Sequence, residues 1–166
     1  MNTHRSLRAL RGWIRVAALL LLLSGGAVAH GTTRWSTLEA IHQLENPRNL
    51  TRPGPCGELG AYQFRETTWR LHTQLPFQLA LERPVSDVVA GLHYDYIRRG
   101  LERAGRAADA YHVALAWNAG LDAAVRGRAP RVAHRYAERA ANLAVALAEE
   151  RSRRFPVLRL PAAAGD

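Results

Sequence analysis

A chain of 166 residues is one domain's worth of material and long enough to bury a core, which sets multi-domain organisation aside. All 23 basic residues are arginine, against 14 acids, giving a formal net charge of +9. Such an excess favours an anionic partner, whether an acidic cell-wall polymer, a membrane surface or nucleic acid. Nucleic acid is set aside because the arginines are spread among acids along the chain and no recognised binding motif occurs.

The first segment has the layout of an export signal. Arg5, Arg8, Arg11 and Arg15 carry positive charge with no acid among them, Val16 to Leu23 is unbroken hydrocarbon, and Ala27-Val28-Ala29 offers a small-residue cleavage site. The apolar run falls short of the roughly 20 residues that a spanning helix needs, so contact with a membrane is expected only through this leader before cleavage after Ala29. The expected product is exported, periplasmic or extracellular, with residues 1–29 as signal peptide, 30–154 as the working domain and 155–166 as a disordered tail.

Helix start and stop signals then recur with almost no strand signal, which predicts an all-α fold. Ser36 and Glu39 have capping-box spacing and predict the first helix start; Pro47 predicts its end near Asn46. The stretch 48–60, rich in Pro, Gly and Asn, reads as a loop. A short helix is expected over Glu66 to His72. A third starts with Ser86 as cap, turns Val88, Val89, Leu92, Tyr96 and Leu101 toward the core, and stops at Ala104-Gly105. The fourth runs from Asp109 as cap to Gly120 and is apolar nearly all round, the mark of a helix at the centre of a domain. After Pro130 a long helix carries Val132, Tyr136, Ala140, Leu143 and Leu147 at helical spacing.

Export invites disulfides, yet Cys56 is the sole cysteine and has no partner within the chain. It reads as a small loop residue, since a thiolate nucleophile needs a positioned base. His42, His93, His112 and His134 are scattered singly and read as core-edge residues, so neither a metal nor a cofactor is expected. Glu45 is different. Leu38, Ile41 and Glu45 lie at i, i+3 and i+7, which sets a carboxylate in line with an apolar stripe at a helix end. Burial there, the negative end of the helix dipole and a roofing loop would all hold its proton, as a general acid requires. Spacing alone leaves open an ordinary solvated glutamate.

Three strings occur in order: Leu44-Glu45-Asn46-Pro47 followed by Gly60-Ala61-Tyr62-Gln63-Phe64 and Thr67-Thr68-Trp69; then Ala114-Leu115-Ala116-Trp117-Asn118-Ala119-Gly120; then Tyr136-Ala137-Glu138-Arg139-Ala140. Together they resemble the lytic transglycosylase and goose-type lysozyme group, whose lysozyme-like fold is mainly helical. The resemblance implies Glu45 as catalytic acid and base, with Gly60, Tyr62, Gln63, Trp117, Asn118 and Tyr136 around the glycan, and Tyr136 approaching Glu45. The chain departs from the pattern at Asn46, where serine is common, at Trp117, where tyrosine is common, and at Ala61-Tyr62, where Leu-Met is usual.

Apart from the resemblance, Gly60 permits close backbone approach to a sugar or simply a tight turn, and Gly120 a helix cap. Gln63 offers a donor and an acceptor. Tyr62 and Trp117 suit either a cleft or the core, and Trp69 suits the core.

The implied activity is a cut of the β-1,4 bond between N-acetylmuramic acid and N-acetylglucosamine in peptidoglycan glycan strands, ending in a 1,6-anhydro sugar. A lysozyme-type hydrolase, with Glu58, Glu66 or Asp95 as second carboxylate, and a non-catalytic wall-binding protein are the alternatives. Proteins of this size in the family often serve a secretion or pilus apparatus.

Overall fold

The computed structural model describes residues 26–155, with side chains from Arg34 onward. Residues 1–25 of the expected leader (1–29) and 156–166 of the expected tail (155–166) lie outside the described residues. Every side chain and site described below lies in the unit of residues 33–166; the helix Gly26–Glu45 alone begins before it.

The all-α expectation holds: the described residues form six α-helices and a 3-10 turn, with one isolated antiparallel bridge between Leu59 and Phe64 and no sheet. None of these helices is long and apolar enough to cross a membrane.

Helix α1 spans Gly26–Glu45. The expected start at Ser36 is wrong, because nothing from Thr32 to Trp35 interrupts a helix and the backbone runs straight through the capping signal. Ser36 and Thr37 are buried inside it. Glu39, freed from capping, instead meets Arg83 of a later helix at 3.2 Å and accepts from Gln43 at 3.1 Å. The helix ends where Pro47 requires it to.

After buried Asn46 the segment is exposed from Pro47 to Gly57 apart from half-buried Gly54, then turns inward: Leu59, Gly60, Ala61, Tyr62 and Phe64 are buried. Leu59 and Phe64 exchange two backbone hydrogen bonds of 3.0 Å around a tight turn in which Gly60 and Gln63 take φ of 77° and 45°. A Cβ on Gly60 would lie 1.7 Å from the carbonyl oxygen of Ala80, so the close approach this glycine permits is to the protein's own backbone.

Helix α2 (Glu66–Arg70) is shorter than expected and is followed by the 3-10 turn Phe77–Leu81. Its Trp69 is fully buried, donating Nε1–H to the Leu75 carbonyl at 2.9 Å.

Helix α3 covers Arg83–Arg103, with Pro84 in its first turn and Glu82 at its N-cap position, and stops at Ala104 and Gly105 (φ 65°) as expected. Ser86 does not cap it. That side chain is fully buried one turn in, its Oγ without a hydrogen-bond partner. The buried face is also rotated from the expected one: Val89, Ala90, Tyr94, Ile97 and Leu101 point inward, whereas Val88, Leu92 and Tyr96 are exposed. Small residues decide this. Ser86, Ala90 and Gly100 line the inner arc, and Leu121 sits 2.3 Å from where a Cβ on Gly100 would be.

Helix α4 (Ala110–Ala119) starts where Asp109 Oδ1 accepts the His112 amide at 2.9 Å and ends at Gly120. Val113, Ala114, Leu115 and Ala116 are all buried, so it is the central helix that its composition predicted. A short α5 (Leu121–Val125) was not foreseen.

Helix α6 (Arg131–Arg154) packs mainly on α4. Its buried residues are Ala133, Ala137, Ala140 and Ala144. Ala140 was foreseen; Val132 is exposed, and Tyr136, Leu143 and Leu147 flank the seam half-buried. An alanine stripe lets two helices approach closely, which bulkier side chains would prevent.

Because Trp69 fills the cluster of Ile41, Phe64 and Phe77, Trp69→Ala is expected to cost about 3–5 kcal/mol. Urea denaturation followed by far-UV circular dichroism measures this.

Candidate active site

Glu45 is the last residue of α1, held there by Ile41, which is fully buried one turn earlier. Its carboxylate Oε1 accepts a 2.8 Å hydrogen bond from the phenol of Tyr136 on α6, 91 residues away in sequence. Burial pushes the Glu45 carboxyl above the ordinary carboxylate range, the Tyr136 bond pulls partly back, and the negative charge of Glu58 adds to the upward push. Tyr136 is itself driven far up by burial and by the neighbouring carboxylate, so it remains a phenol and donates.

The loop beyond Glu45 is fixed by Asn46. Asn46 is buried, donates Nδ2–H to the carbonyls of Leu50 (2.9 Å) and Gly60 (3.1 Å), and accepts the Leu50 amide at 2.9 Å. Both ends of the loop are thereby tied to the end of α1.

Glu45 lies between two adjoining hollows. One, of about 500 Å³, is lined among others by Glu45, Glu58, Gln63, His93, Trp117 and Asn118. The other, of about 440 Å³, is bounded by Glu45, Leu50, Arg52, Pro53, Pro55 and Gln63, with others. Glu45, Pro55 and Gln63 belong to both, so the two hollows adjoin as one groove at these residues.

The residues singled out from the sequence divide into two groups. Gln63, Trp117 and Asn118 line the larger hollow. Asn118 is exposed and makes no side-chain hydrogen bond among the described residues. Gln63 also braces the turn, donating Nε2–H to the Gly60 carbonyl at 3.0 Å. Tyr62 lines the hollow too, but its hydroxyl donates to Asp87 at 2.7 Å and its ring lies under Arg83. Tyr136 holds Glu45 without lining either hollow, and Gly60 lines neither, being buried against Ala80.

Of the candidate second carboxylates, Glu66 pairs with Arg70 and Asp95 with Arg34, both away from the groove. Glu58 is present in it. Backbone amides at Glu58 and Cys56, with Arg65, hold its carboxyl below the ordinary range; Oε2 takes the Cys56 amide at 2.8 Å and Oε1 the Arg65 Nε at 3.4 Å. The two acids of this groove are thus pushed apart, one toward the proton and one away from it.

His93 was missed. It lines the larger hollow, meets the Trp117 ring edge-on at a centroid distance of 4.7 Å, and shares a 2.9 Å hydrogen bond with His72. Burial, with His72 beside it, holds it down to about 4, so it is neutral near pH 7. Cys56 is exposed and free. Among the described residues no cluster of three metal-ligating side chains occurs.

No protein-family model matches the chain, and comparison with curated proteins and with solved structures gave no match. The chemistry of the groove therefore rests on its own geometry.

Folding raises the proton affinity of Glu45, so between the ordinary carboxylate pKa and the raised one the folded chain keeps a proton that the unfolded chain has released. Stability contributed by that proton is present at low pH and is lost as pH climbs through this window. Glu45→Gln is accordingly expected to melt above the native protein at pH 7, with the gap closing as pH falls below the Glu45 titration. Thermal melts between pH 3 and 8 read this directly, and an equal gap at all pH values would contradict it.

Proposed function

We propose that this protein is an exported peptidoglycan lytic transglycosylase in which Glu45 acts as acid and then as base. The observation that carries the proposal is the placement of a carboxyl whose proton affinity burial raises, held by Tyr136, where two adjoining hollows meet. A glycosidic oxygen leaves readily only when it is protonated as the bond to C1 breaks, and a protonated carboxyl at the scissile bond supplies that proton.

In the proposed reaction Glu45 gives its proton to the bridging oxygen, and the C1–O bond breaks with its electron pair going to the departing N-acetylglucosamine. The resulting Glu45 carboxylate takes the proton of the muramoyl C6 hydroxyl, and O6 bonds to C1 to close a 1,6-anhydro ring. The carboxyl ends as it began, and no water is consumed. Tyr136 serves both halves by donating a hydrogen bond to whichever form is present, most strongly to the anion.

A lysozyme-type hydrolysis is the second reading, favoured by the ionised Glu58 in the same groove. The engagement of both Glu58 oxygens by an amide and by Arg65 argues for a role in shaping the loop and supports the single-carboxylate scheme.

Mass spectrometry of digested sacculi separates the two, since the transglycosylase leaves anhydromuramoyl ends and the hydrolase leaves reducing ends. Glu45→Gln is expected to lower turnover by at least about 10²-fold, whereas Glu58→Gln leaves anhydro ends as the product. Sacculi bound but never cut by the native protein would refute the enzyme reading.

Tyr136→Phe gives a further check. Its hydroxyl favours the ionised carboxyl, so its removal raises the Glu45 pKa further, and the alkaline limb of the pH–rate profile is expected to move to higher pH while the maximum rate drops about tenfold.

A further inference from the structure

The histidine pair has no part in the scheme above, yet one of its members faces the groove. His93, on α3, has two ring nitrogens. Nδ1 is occupied at 2.9 Å by Nε2 of His72, in the turn after α2. Nε2 has no hydrogen-bond partner among the described residues, and it is not among the buried polar atoms left without one. It is therefore not sealed from solvent, and the hollow that His93 lines is the larger of the two beside Glu45.

The ring is held firmly. It stacks on Tyr96 with an interplanar angle of 12°, and meets Trp117 edge-on at 4.7 Å and Phe64 at 6.3 Å. A fixed polar atom next to a part-exposed indole is a two-part feature: one part suits a hydrogen-bonding group, the other a small apolar one.

Resting on the glycan reading of the groove, we propose that His93 is a substrate-contacting specificity residue that binds an acetamido group through Nε2, with Trp117 taking the acetamido methyl. An acetamido substituent carries both an amide and a methyl group, whereas a hydroxyl or an amine offers nothing for the indole. Either neutral form of the ring serves. Nε2–H donates to the acetamido carbonyl, and bare Nε2 accepts the acetamido N–H. His72 is the positioning residue: by holding Nδ1 it fixes the ring plane and leaves a single nitrogen for the sugar, much as an outer partner orients a ligating histidine.

Titration of the Glu45→Gln protein, which binds without cutting, with tri-N-acetylchitotriose and with its de-N-acetylated counterpart tests this. His93→Phe is expected to weaken the acetylated trimer about three- to tenfold and to leave the de-acetylated one unchanged. His93→Gln, whose amide reaches the position of Nε2, recovers most of the loss. In native-sequence protein carrying ¹⁵N-histidine, the acetylated trimer alone is expected to shift the His93 Nε2 resonance, a readout that does not depend on any variant folding.

Unchanged affinity in His93→Phe, equal weakening toward both trimers, or a silent Nε2 resonance on saturation would each overturn the assignment and leave the glycan reading standing. A Glu45→Gln protein that binds neither the acetylated trimer nor intact sacculi would remove both.

Discussion

A carboxyl at the end of one helix and a phenol on another, 91 residues later, share a single 2.8 Å hydrogen bond, and the arrangement of the remaining chain can be understood from what that contact requires. Glu45 must be far enough from water to hold its proton, yet open on one side to a groove. α1 supplies the first condition by seating Ile41 in the core one turn before it. The loop fastened by Asn46 contributes to the second, since Leu50, Arg52, Pro53 and Pro55 bound one of the two hollows that Glu45 lines. The phenol steadies the carboxyl without taking its proton, because burial and the adjacent charge push its own ionisation out of reach.

Glu58 gives the contrast that makes the setting of Glu45 informative. Both are glutamates in one groove, but Glu58 accepts an amide and faces an arginine, so charge suits it, while Glu45 is partly buried with one neutral donor. Environment, not residue type, divides their chemistry.

Much of the fold was legible in the sequence, because punctuation by Asp109, Gly105, Gly120 and Pro130 obeys local backbone rules that tertiary structure seldom overrides. Two kinds of error have physical causes. At Ser36 a valid capping signal lay within a segment able to continue as helix, and the longer run of backbone hydrogen bonds won. In α3 and α6 the inward faces were misplaced because hydrophobic patterning follows large side chains, whereas these seams are built on Ser86, Ala90, Gly100 and the four alanines of α6. Within the site, Glu45, Gln63 and Tyr136 stood out through a resemblance in three ordered strings. Gly60 was read as serving either a sugar's approach or a tight turn, and it makes the turn, with its freedom used against Ala80. His93 carried no signal at all, since a single histidine on a helix acquires meaning only when His72, 21 residues earlier, comes within 2.9 Å.

The alanine seam reaches further than packing. Four methyl groups at Ala133, Ala137, Ala140 and Ala144 determine how near α6 rides to α4, and Tyr136 is carried on that same helix. The depth at which the phenol arrives over the end of α1 is thus gauged by side chains that never touch the groove. A lineage of this protein that swapped those alanines for larger residues would retune the acid from behind, altering its grip on hydrogen while every residue facing the sugar stayed the same.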